Sequence, residues 1–316
     1  MVIRCGIFYL LWVGVILFCA PFTGRAEEPL IAQYNEALEK LRANGPTQEA
    51  RDVFREEWSR RLETAAAESG ASQELKVFAY QRLVEWATLR DSPKALHYTR
   101  LLVAEQTDPR EKAYWQINGA VIAYLEAGKQ ARKPTAKAAA LEALPWFEGA
   151  VALIKALPEL RGGVEGRVPS FYGNYASMLE QAERPEEAIA VLKEGLELFK
   201  QGRLEPVKII GGRPAGMPDD QQQLELQLLE MSIRHSDSDS AIAVLMCLGG
   251  KDLQKNKRLF RQVEIALIEG LRNFNGKKPL RMGGLGRYLE ESGLLAVMDK
   301  EIAQMVSEYK AREGKR

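Results

Sequence analysis

Few residues in this chain can do chemistry, and their spacing narrows what that chemistry could be. There are two histidines among 316 residues. His235 opens the run HSDSDS, where His235, Asp237 and Asp239 put one imidazole and two carboxylates within five positions. Such a set could touch a divalent cation, but three short-range ligands without a distant fourth make a poor site. The run reads better as a polar turn in which Ser236 or Asp237 caps a helix starting near Ser238. His97, in ALHYTRLL, reads as a helix-face residue rather than a base. No nucleophile elbow, paired-histidine metal helix, phosphate loop or cysteine pair occurs, so neither a cofactor nor an enzymatic activity is expected.

Three glycine-arginine segments are the next candidates: LRGGVEGRVP at 160–169, IIGGRPAGMPDD at 209–220 and LRMGGLGRYL at 280–289. Each could offer backbone N–H groups and an arginine to an anion, which marks Arg213 and Arg287 as loop contacts. None has the spacing of a dinucleotide or phosphate loop. They read as connections whose glycines adopt backbone angles other residues avoid. The 201–218 connection is longer than most, the length at which loops acquire function.

The first 26 residues stand apart. Arg4 precedes an uncharged stretch from Cys5 to Gly24, and Gly24 and Ala26 supply small residues ahead of the acidic EEP. That is the layout of a secretory signal peptide, so an exported, periplasmic or extracytoplasmic protein is expected. The alternative is an uncleaved membrane anchor, since the 5–24 stretch is just long enough to span a bilayer. A lipid anchor at Cys19 is disfavoured by bulky Phe18. Cleavage after Ala26 would take Arg4 and Arg25 and no acid, so the 44 Lys and Arg would fall to 42 against 43 Asp and Glu. A balance so near zero provides no pull toward nucleic acid or an anionic membrane. From Lys251 onward the chain leans basic, as solvated amphipathic helices do, although an acidic protein or lipid headgroup would also suit it. Cys5 and Cys19 would also be lost, leaving Cys247, which excludes a disulfide within one mature chain. In the apolar run AIAVLMCL, Cys247 is expected to be a buried thiol, with an intermolecular disulfide as the alternative.

The elements that must position any site are helices. From residue 27 the chain is rich in Ala, Leu, Glu, Lys, Arg and Gln, with apolar residues recurring at three and four. Strand-like alternation appears only in VKII, 207–210. Breaks fall at Gly45-Pro46, Gly70, Asp91-Ser92-Pro93, Gly128, Pro134, Arg184-Pro185, Ser236-Asp237 and Gly249-Gly250. They delimit pairs at about 28–44 with 47–69, 72–90 with 92–106, 109–128 with 137–158, 169–183 with 185–201 and 219–235 with 237–249, then a last group. Helix hairpins joined by short turns and stacked in sequence make an α-solenoid.

Within FYGNYASMLEQAERPEEAIAVLKEGLELF, 171–199, Tyr172, Tyr175, Ala176 and Leu179 precede Ala188, Leu192 and Gly195. This segment resembles the tetratricopeptide repeat, whose first helix carries large, large, small, large and whose second carries small, large, small. Fragments of the pattern recur as Trp115, Gly119 and Ile122, and at Ala50, Ala95, Ala150 and Ala241. The spacing of those alanines departs from the family's period of about 34 residues.

The resemblance implies an all-α fold, a right-handed solenoid of antiparallel hairpins with inserted loops, forming one domain over 27–316. An irregular helical bundle is the alternative. It also implies a concave groove lined by first helices. Gln116, Ala120 and Tyr124 would face it from one pair, and Ser170, Asn174, Ser177 and Gln181 from the next. Polar, uncharged side chains of this kind suit a peptide or partner protein. Three functions remain open: an exported binding or scaffold protein, a membrane-anchored scaffold with the same body, and a helical-toroid enzyme or small-ligand protein using the Arg-Gly loops.

Overall fold

The computed structural model describes residues 29–45, 47–88, 90–157, 159, 168–204, 218–273 and 282–313. The N-terminal 26 residues, VKII, Arg213 and most of the first two glycine-arginine segments lie outside them. Among the described residues the fold is all-helical, with no strand, and no helix is long and apolar enough to cross a membrane. The chain divides into two compact units, 1–78 and 79–316.

In the first unit, α1 (Pro29–Ala43) and α2 (Gln48–Ala67) meet through aromatic rings. Tyr34 on α1 lies edge-on to Trp58 on α2, with ring centroids 5.2 Å apart, and 5.7 Å from Phe54. Such edge contacts add to the area these rings bury. The Arg61 guanidinium sits 4.0 Å over Trp58 and donates to Gln33 Oε1 at 2.7 Å, so it ties the two helices at a second point. Thr47 opens α2 by accepting from the Ala50 N–H. The next helix, α3 (Gln73–Ala87), begins in the first unit and ends in the second.

The second unit holds α4 (Ser92–Glu105), α5 (Pro109–Gly128), α6 (Ala136–Ala156), α7 (Val168–Gln181), α8 (Pro185–Lys200), α9 (Asp220–Arg234), α10 (Ser238–Cys247), a 3₁₀ turn (Gly250–Lys255), α11 (Lys257–Arg272), α12 (Met282–Glu291) and α13 (Lys300–Glu313). Five of these helices start from side-chain caps. Asp91, Asp108, Asp219, Asp237 and Asn256 each accept a backbone N–H one turn into α4, α5, α9, α10 and α11. Pro93, Pro109 and Pro185 occupy first turns, where a missing N–H costs nothing. Pro145, by contrast, sits inside α6 without ending it.

Two connections share one geometry. Three residues join α7 to α8 and three join α9 to α10, with Glu183 at φ 63° and Ser236 at φ 65°. In each, the residue after the left-handed one donates back to a carbonyl five positions earlier: Arg184 to Leu179 at 2.8 Å, and Asp237 to Ser232 at 2.7 Å. This is the closure of a Schellman turn, normally made by glycine.

Helices next to each other in sequence pack together from α4 through α10. Along α5 and α6 the contact positions run in opposite directions: a Cβ at Gly119 would overlap the Trp146 ring, while one at Gly149 would lie 2.7 Å from Gln116 Nε2. The α6–α7 contact is aromatic, with Phe147 stacked on Tyr175 at 5.2 Å. On α8 the small residues Ala188 and Gly195 are buried with Leu192, and a Cβ at Gly195 would lie 2.9 Å from Tyr172 Cβ on α7. Further along, Gly270 of α11 lets its helix approach α9, where an added Cβ would meet the Glu230 carbonyl at 2.9 Å. The buried carboxylate of Glu264 accepts the Asp299 N–H at 2.7 Å and so ties α11 to the start of α13.

Two expectations are overturned. The segment at 280–289 is not a connection over its described part, since 282–289 lie within α12, which puts Arg287 on a helix rather than a loop. Cys247 is exposed, not buried. Ala241, Val244, Leu245 and Leu248 form the stripe that α10 turns inward, leaving Met246 and Cys247 on the opposite side. In a run that is apolar all round, composition cannot say which face is covered.

Candidate functional site

The polar side chains expected to line a groove gather along α5 and α7, and the structure gives several of them partners. Ser177 Oγ donates to the Gly173 carbonyl at 3.0 Å, and Gln227 of α9 donates to both, at 2.9 Å to the carbonyl and 3.1 Å to the hydroxyl. A Cβ at Gly173 would fall 2.6 Å from Gln227 Oε1, so the glycine is what admits that amide. Gln181 reaches the other way, donating to the Ala136 carbonyl at the start of α6 at 2.8 Å. Gln116 donates to the Trp146 carbonyl within α6 at 3.1 Å. Ser177, Gln181 and Gln116 are thus engaged between helices. Ser170 and Asn174 on α7 and Tyr124 on α5 are half-buried, and Ala120 is buried. Arg287 is exposed on α12.

Two turns along α7 from Gly173 lies a charged cluster. Arg234 of α9 donates through one terminal nitrogen to both oxygens of Glu180, at 2.7 and 2.6 Å, and through the other to Glu230. His235 Nε2 is 2.7 Å from Glu180 Oε1. Burial by itself raises the Glu180 carboxyl, but the His235 hydrogen bond and the Arg234 charge outweigh it and hold the group below its ordinary value. The cluster joins two helices and leaves Glu180 saturated with donors, so what it does chemically is hold a position.

The two sets of bonds share a register. Gly173 pairs with Gln227 and Glu180 with Arg234, each separated by 54 residues. Contacts that advance together by two turns on both helices mean that α7 and α9 run parallel.

Other polar groups have partners within the fold. Asp237 accepts the Ser240 N–H at 3.1 Å and its hydroxyl at 2.5 Å, so this carboxylate caps α10 as the sequence predicts. Among the described residues no three His, Cys, Asp or Glu side chains are grouped to hold a metal ion. Tyr172, buried, donates to Glu194 Oε1 at 2.9 Å, and Lys155 of α6 pairs with the other oxygen of Glu194 at 2.9 Å. On α9, Glu225 is only 6% exposed, and burial raises its carboxyl despite a hydrogen bond from Gln221.

Sequence reasoning missed Gln227, Glu180, Arg234 and His235 as ties. Their signal is faint but present: Gln227 and Arg234 are spaced by seven, as are Gly173 and Glu180, which puts each pair on one helix face. No family model matches the chain, and no curated protein matches it either.

Proposed function

We propose that the chain is an exported, non-enzymatic interaction protein, built as a solenoid of tetratricopeptide-like helix hairpins that presents its first helices to a peptide or partner protein. The observation that carries this reading is the parallel, in-register contact of α7 with α9, combined with the opposed contacts of α5 with α6. Sequential hairpins whose first helices stack parallel are what a solenoid requires. α5 also touches α7, and α7 touches α9. Between second helices the ties include surface ion pairs, Lys155 with Glu194 and Lys193 with the Asp237 cap of α10. On this reading Ser170 and Asn174 are the residues that meet the partner from α7, with Tyr124 beside them on α5, while Gln116, Ser177 and Gln181 serve the scaffold. A preformed surface of this kind binds with little reorganisation.

A photo-crosslinking residue at Asn174, compared with one at exposed Lys193 on α8, tests the reading in native envelope material. The expected result is a discrete adduct from position 174 and none from position 193. Equal labelling from both, or none from either, would overturn the groove assignment. Mass spectrometry of the same material tests export: a mature chain beginning at Glu27 supports cleavage, whereas retained residues 1–26 support the anchored scaffold.

A further inference from the structure

We draw no further inference here: the strongest candidate, the shallow cleft of about 270 Å³ lined by Met246, Gly249, Gly250, Tyr288 and Ser292 beside the exposed Cys247 thiol of α10, is an apolar hollow next to one cysteine, and nothing in the structure shows what covers it.

Discussion

The α5–α6 and α7–α8 pairs solve the same packing problem with the roles of their helices exchanged at the tightest contact. In α7–α8 the first helix supplies the large residue, Tyr172, and the second supplies the small one, Gly195. In α5–α6 the tightest contact has the glycine, Gly119, on the first helix and the aromatic, Trp146, on the second. Gly149 of the second helix meets Gln116 of the first, as in α7–α8. Close approach needs one side to be small, but physics does not care which. A residue pattern does. The repeat-like signature is therefore clear over 171–199 and broken over 109–156, although both pairs pack by the same device.

The comparison breaks hardest at its small residues. Ala188 is fully buried on α8, and Ala188→Trp should cost about 3 kcal/mol by overpacking, read as a lowered midpoint in chemical denaturation. A midpoint like the wild type's would remove α8 from the crossing. Gly119→Ala should cost about 2 kcal/mol for the same reason, even though alanine favours a helix by about 1 kcal/mol. The exchange of roles is sharpened by a second change. Trp146→Leu removes the ring and should restore much of the stability lost in Gly119→Ala. Tyr172→Phe should restore nothing to Gly195→Ala, because the clash there is with Tyr172 Cβ and Cγ, which phenylalanine keeps.

Two carboxylates, Glu180 on α7 and Glu225 on α9, should respond to pH in opposite senses. The folded-state value of Glu180 is depressed, so its contribution is present above the unfolded carboxylate value of about 4.3 and fades as pH falls through the folded one. Glu180→Gln should cost about 1–3 kcal/mol at pH 7, with the gap to wild type closing in acid. The value of Glu225 is raised, so its contribution is favourable in acid and lost as pH rises through the folded value. Glu225→Gln should therefore raise the melting temperature at pH 7 and lose that advantage below about pH 4. A melting profile in which both variants shift in the same direction would contradict these assignments.

The smallest expected effect tests the shared turn. Glu183 holds a left-handed conformation that glycine adopts without strain, so Glu183→Gly should stabilise by about 0.5–1 kcal/mol. The same change at Ser236 should act alike if the two turns are equivalent.

Much of the fold was legible because helix ends are written locally. Asp91, Pro109, Pro185, Asp237 and the glycines at 249 and 250 act within a turn of where they stand, and the helices begin and end there. The candidate site was less legible because its decisive contacts are not local. Gln227 meets Gly173 only because α7 and α9 lie side by side, and nothing within either helix announces that. Cys247 shows the same limit on a smaller scale: which face of α10 is covered depends on neighbours contributed by other helices.

The constant separation of 54 residues between α7 and α9 has a consequence for how the chain can change. Two bonds two turns apart fix both the slide and the direction of one helix on the other, whatever joins them. Register is therefore set by these contacts rather than by the length of the chain between α8 and α9. A change in the length of that chain should leave the paired helices in register if it spares Arg203, which donates to the Leu157 carbonyl, buried Leu204 and the Asp219 cap.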